Sequence, residues 1–235
     1  MRYIAFLLFS VVVASSCRKS GEEIELVRFP GAFHSAVFLN NFEIFIGEDS
    51  TYRVEMLGVE QELSKIELEI KDSVLHIKNT AKLKWTRPGK PVQLRVFCPD
   101  VKRMVCNETS MLKSLHPLRS KEIGVILTSK ANEVDLELDN EGFYYYNHFP
   151  CGGMLRLRGR SEKIKIWNYA IMTVDAKDLE VQEAQVENYA KTHCYVNVQK
   201  KLDYILGGEG DIVLFGNPQL RELKPKSGSG KLIFN

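Results

Sequence analysis

Beyond its first residues, this sequence has no segment of convincing helical period, no further apolar run of membrane-spanning length, and no excess of charge of either sign. The first absence argues against helical bundles and α/β folds, which need amphipathic stretches of period 3.6. The second leaves no candidate transmembrane helix in the body of the chain. The 32 Lys and Arg are matched by 30 Asp and Glu, for a net charge of +2, and the two signs are interspersed. That balance gives no reason to expect a nucleic-acid partner.

Catalytic and cofactor signatures are equally scarce. The five histidines, at positions 34, 76, 116, 148 and 193, form no His-x-His or His-x-x-x-His pair, so no metal site is expected. No Gly-x-Ser-x-Gly elbow supplies a hydrolase nucleophile. Gly207-Gly-Glu-Gly-Asp211 lacks the aspartate position and tandem copies of a calcium β-roll, and reads as a turn before a strand. Gly228-Ser-Gly-Lys231 ends like a phosphate loop, but Pro225 replaces its first glycine and no helix follows. No cofactor is expected. Five cysteines give no disulfide framework. Cys98 and Cys106 fall on neighbouring strand segments, which leaves a bridge between them open. Cys151 and Cys194 lie about two coils apart, roughly 10 Å, beyond disulfide reach. Buried thiols are the simpler reading.

What the chain does have is a ladder. One series of apolar residues runs Val96, Leu115, Val134, Leu155, Val174, Val196, Val213, Leu232, and a second runs Val105, Val125, Tyr145, Ile166, Val186, Leu206. Spacings in both stay between 17 and 22 residues. Each anchor lies in an alternating stretch such as Val134-Asp-Leu136-Glu-Leu138. Period two indicates strand, and a fixed longer period indicates stacked equivalent coils. The expected fold is all-β: a single-stranded parallel β-helix, or β-solenoid, with coils of about 20 residues and right-handed connections. The Leu-x-x-Gly hexapeptide of left-handed β-helices is absent. Upstream, strand signals crowd at Ala36–Leu39, Phe42–Ile46, Tyr52–Met56, Ile66–Ile70 and Val74–Ile77, with one turn of helix allowed in Gly58–Ser64. Glycines 207, 208, 210, 216, 228 and 230 are read as corner residues with positive φ.

The N-terminus reads as an export signal. Arg2 is followed by an apolar stretch from Ile4 to Val13 and by small residues Ala14, Ser15 and Ser16, then Cys17. About ten apolar residues are too few to span a bilayer as a helix. Small residues before a cysteine resemble a bacterial lipobox, which makes Cys17 the expected lipidation site and the lipid the membrane anchor. The expected organisation is a signal peptide over 1–16, the lipidated cysteine and a polar tether over 17–30, and one β domain over 31–235. Cleavage would remove Arg2 and lower the net charge to +1.

Two segments carry a resemblance. The first is Val37-Phe-Leu-Asn-Asn-Phe-Glu-Ile-Phe-Ile-Gly-Glu-Asp49, continuing through Tyr52-Arg-Val-Glu55 and Ile66 to Ile77. The second is Gly207-Gly-Glu-Gly-Asp-Ile-Val-Leu-Phe-Gly-Asn-Pro218, followed by Ser227-Gly-Ser-Gly-Lys231. Together they resemble the head GIN domain family of auto-transporter-type adhesins, common among exported proteins and lipoproteins of Bacteroidetes. The middle of the chain departs from the family, with Cys106-Asn-Glu-Thr-Ser and a bulky 143–149 run where Gly-Ser-Gly turns are usual. The resemblance implies a solenoid head at the cell envelope and brings no catalytic residues.

Two functional classes follow. The first is a non-catalytic envelope module, adhesin-like or structural, on an outer-membrane lipoprotein facing the periplasm or the cell surface. The alternative is a polysaccharide-active hydrolase or lyase, which would need paired carboxylates on one sheet face. Here the ladder acids Asp135, Glu137, Glu180, Glu183 and Glu187 are interleaved with lysines and read as solvated faces. The run Phe143-Tyr144-Tyr145-Tyr146-Asn147-His148-Phe149 is the distinctive stretch. Alternation exposes about half of it, centred on Tyr144, Tyr146 and His148, or on Tyr145 if the parity is reversed. Such tyrosines either stack as a structural ladder or contact an envelope glycan or protein partner. Strand edges also make an end-to-end homo-oligomer an expected assembly.

Overall fold

The computed structural model describes residues 22–81, 90–129 and 131–235. The expected signal peptide and Cys17 lie outside them. Among the described residues, apart from one turn of helix, α1 (Glu60–Leu63), the regular elements are strands. From β8 (Arg103–Cys106) onward the chain winds through about seven coils. Two strand columns wrap a common core. One, sheet A, stacks β9 (Ser110–Ser114), the first halves of β11 (Asn132–Asn147), β12 (Gly152–Asn168), β13 (Ile171–Asn188) and β14 (Cys194–Leu206), then β15 (Ile212–Phe215) and β17 (Leu232–Phe234). The other, sheet B, stacks β8, β10 (Glu122–Leu127), the second halves of the same four long strands and β16 (Gln219–Glu222). Every neighbouring pair in this region is parallel.

The core follows from alternation. On sheet A, Leu112, Val134, Leu155, Val174, Cys194 and Ile212 stack in register, all nearly or fully buried. On sheet B, Val125, Tyr145, Ile166 and Val186 do the same. No coil could bury these side chains alone; each is covered by the rungs before and after it. Some ladder anchors slip. Leu115 is exposed, and Leu112 takes the inward place beneath Val134. Val213 points outward between buried Ile212 and Leu214, and Val105 outward beside Met104. Val186 pairs with Tyr204 rather than Leu206. Register shifts in β13 and β14 absorb the unequal coil lengths.

The N-terminal region stacks out of sequence order. β2 (Ser35–Phe38) and β3 (Glu43–Glu48) lie directly against β8 and β9. β6 (Val74–Asn79) and β7 (Gln93–Cys98) form the next layer out. β4 (Arg53–Val59) and β5 (Ile66–Lys71) then close that end antiparallel to β7 and β6. Within the stretch read as tether, Glu23–Arg28 forms β1, antiparallel to β4. Reversing the last strands ends the parallel stack and puts charged residues such as Glu67, Glu69 and Lys71 on its rim, which discourages edge pairing.

The glycines act differently from the sequence reading. Of the six named, only Gly216 has positive φ. Gly208, Gly210, Gly228 and Gly230 are needed for clearance, because a Cβ on each would overlap a backbone carbonyl of the rung below. Gly228 sits over Gly208 and Gly230 over Gly210.

The corner leading from sheet B to sheet A is built on three buried asparagines, Asn147, Asn168 and Asn188, in register on adjacent rungs. Asn147 Nδ2 donates to Asn168 Oδ1 at 2.8 Å, and Asn168 Nδ2 to Asn188 Oδ1 at 3.2 Å. The same amides donate to backbone carbonyls, Met172 from Asn168 at 2.8 Å and Thr192 from Asn188 at 2.9 Å. Their oxygens accept corner amides, Tyr169 N–H at 2.7 Å and Ala190 N–H at 3.3 Å. Asn147 also donates to the hydroxyl of buried Tyr145 at 2.8 Å. Asn168→Ala should therefore strand several polar groups and cost on the order of 3 kcal/mol. Chemical denaturation checks this, and a loss below about 1 kcal/mol would show the ladder to be dispensable.

Candidate binding surface

The outer faces of the two sheets differ. Sheet A is laid with ion pairs that neutralise one another across or along rungs: Arg156–Glu133 at 3.6 Å, Arg158–Asp135 at 3.0 Å, Lys177–Asp175 at 3.3 Å and Arg95–Glu55 at 3.7 Å. Sheet B also carries ion pairs, Lys163–Glu183 at 3.2 Å, Lys201–Asp203 at 3.0 Å and Arg221–Asp203 at 2.5 Å, but beside them runs a mostly apolar row. Val37, Val105, Ile126, Tyr146, Trp167 and Glu187 occupy equivalent outward positions on successive rungs. Beside it runs a second row, Arg103, Gly124, Tyr144, Lys165 and Gln185.

Tyr144 and Tyr146 both face outward, Tyr145 is fully buried, and His148 is exposed. The parity is thus the first of the two considered. The structure divides the three outward residues. Tyr146 is 6.0 Å from His148, ring centre to ring centre, and 6.0 Å from Tyr169 on the corner. Tyr169 in turn stacks on Tyr189 at 4.9 Å with planes 12° apart. Tyr144 instead leans the other way and covers Gly124, where a Cβ would collide with its ring. Burial raises its hydroxyl pKa; nearby Arg103 opposes this shift and Glu122 adds to it.

Sequence reading missed Trp167, Tyr169, Tyr189 and Glu187. Their signal was the coil period itself: 167 to 187 and 169 to 189 are each 20 residues apart. Glu187 was read as a solvated ladder acid, yet it is only 9% exposed and binds three donors. Trp167 Nε1 reaches it at 3.1 Å, Tyr169 Oη at 2.9 Å and Gln185 Nε2 at 2.8 Å. The carboxylate thereby fixes two aromatic rings of the surface. The other acids weighed as catalytic are dispersed: Asp135 pairs with Arg158 and Glu183 with Lys163 at 3.2 Å. Cys98, Cys106, Cys151 and Cys194 are free and buried, and burial pushes the thiols of Cys106 and Cys194 up to about 12. Among the described residues no group of three or more His, Cys, Asp or Glu is placed to hold a metal ion.

The profile of the family described as "Putative auto-transporter adhesin, head GIN domain" matches residues 32–218. The chain belongs to this family. Solved structures share its fold at low identity. A putative adhesin of Bacteroides fragilis superposes with a TM-score of 0.81 at 14% identity, covering 91% of this chain and 97% of that one. A putative lipid binding protein of Parabacteroides distasonis gives 0.63 at 13% identity, covering 92% and 97%. A putative adhesin of Parabacteroides merdae gives 0.54 at 12% identity, covering 91% and 97%. No curated protein matches the chain.

Burial first, and then the bond to Glu187, raises the pKa of the Tyr169 phenol far above its ordinary value of about 10. The folded state therefore holds that proton more tightly, and its stabilising effect is lost as pH rises above about 10. Glu187→Gln puts an amide among three donors and should cost about 1–2 kcal/mol. It should also move the Tyr169 phenol part of the way back toward its ordinary value, read from its ¹³Cζ resonance. An unchanged titration in the variant would mean that Glu187 does not govern this ring.

Proposed function

We propose that this head GIN protein is a non-catalytic, adhesin-like binding module of the cell envelope, lipid-anchored through Cys17 and using the outer face of sheet B for contact. The observation that carries the reading is the clustering of aromatic rings on one face. Both sheets carry ion pairs, but sheet B and its corner also expose Tyr146, Tyr169, His148 and Phe149 beside half-buried Tyr144 and Trp167. Rigid aromatic groups give large contact area at little entropic cost, which is why they dominate interface energetics. Family membership supports an adhesin-like role, and no helix among the described residues is long and apolar enough to cross a membrane. An acyl anchor with a folded head above it accounts for both.

Beads coated with the full chain should capture isolated envelope fragments. Replacing Tyr144 and Tyr146 together by Ser should weaken that capture about tenfold with a stability loss under about 1.5 kcal/mol. A loss of 3–5 kcal/mol, as expected for aromatic truncation in a core, would make the tyrosines structural. For the anchor, an acyl analogue should label the wild-type chain and not Cys17→Ala, because the acyl chains supply most of the membrane affinity. An unlabelled wild type that fractionates as soluble would remove the lipoprotein part of the reading.

A further inference from the structure

We propose that the groove around Tyr144 takes a neutral polysaccharide strand. This deepens the binding-module reading and rests on it. The groove runs across the rungs of sheet B from Arg103, over Gly124 and Tyr144, to Lys165 and Trp167. Three rung spacings separate Arg103 from Lys165, about 14 Å, room for a short oligosaccharide. Gly124 makes the floor: its missing Cβ lets the tyrosine ring lie across the sheet.

The charges around the ring decide the ligand class. Lys102, Lys121 and Lys163 are paired with Asp100, Glu141 and Glu183 at 3.6, 3.5 and 3.2 Å. Arg103 and Lys165 make no ion pair among the described residues, and neither do Glu122 and Glu162, which line the same groove. Two free cations and two free carboxylates therefore surround one aromatic platform. A polyanion would meet Glu122 and Glu162, and a polycation would meet Arg103 and Lys165. An apolar partner would bury all four without a partner, at a prohibitive cost. A chain of hydroxyls satisfies both sets, donating to the carboxylates and accepting from the cations, while its C–H faces pack on Tyr144 and Trp167.

The test is affinity electrophoresis of the full chain in mild detergent, through gels containing dextran, mannan, xylan or laminarin, with polygalacturonate as the acidic comparison. At least one neutral polymer should retard the chain, and a tenfold rise in salt should change that retardation little. Tyr144→Ala should weaken retardation about tenfold. Gly124→Ala, which keeps the ring but lifts it off its floor, should weaken it similarly, and Lys165→Ala, an exposed substitution that leaves folding intact, by several-fold. The proposal is overturned if no neutral polymer retards the chain, if retardation is confined to polygalacturonate and vanishes with salt, or if the folded Lys165 and Gly124 variants bind as wild type. Envelope capture by the same preparations separates the two levels. Capture without neutral-polymer binding removes the glycan and leaves the binding module, whereas loss of both removes both.

Discussion

The asparagine ladder is the interaction on which the rest of the structure depends. A parallel coil must turn back on itself at every corner, and each turn leaves buried amides and carbonyls with no strand partner. Asn147, Asn168 and Asn188 solve this with one side-chain type, since an amide both donates and accepts. Because each asparagine also bonds to the next, the corners are held at a constant rise. That constant rise lets Val134 meet Leu155 and Tyr145 meet Ile166 with no offset. On either side of the ladder the equivalent positions are Leu127 and Leu206. Beyond Leu206 the corner changes its device, and glycines stacked on glycines replace side-chain bonds with close backbone approach.

This explains what could be read in advance. The period of about 20 residues was legible because inward positions must be apolar on every coil. The phase was less legible, because coils differ in length and the surplus is taken up by local register shifts such as that between Ala176 and Glu180. Equal spacing therefore selected Leu115 where Leu112 is inward, and Val105 where Met104 is. The asparagines carried the same period, at 147, 168 and 188, but polar residues in a strand pattern read as outward. Only the corner geometry makes them buried. The out-of-order N-terminal layers were invisible for a different reason: alternation marks strands without saying which rung each joins.

Half of the candidate surface was legible on the same terms. Tyr144, Tyr146 and His148 stood out because they crowd one strand. Trp167, Tyr169, Tyr189 and Glu187 are spread over two coils and gather only when the coils stack. Glu187 illustrates the difficulty most sharply. In sequence it is one acid among many. In the fold its carboxylate lies beneath two aromatic rings and accepts from both.

A solenoid converts sequence period into surface columns. Outward positions carry no packing duty, so a residue type repeated at the coil spacing becomes a continuous stripe on the outside. On the middle rungs of sheet A those positions hold alternating charge, such as Asp135, Arg156 and Asp175, which discourages lateral association of a flat parallel face. On sheet B the same positions hold rings, a glycine floor and a mixture of paired and unpaired charges. Arg103, Lys165, Glu122 and Glu162 make no ion pair among the described residues, so they add little to the fold. Their presence beside Tyr144 and Trp167 on one face is most economically explained by a ligand that satisfies them.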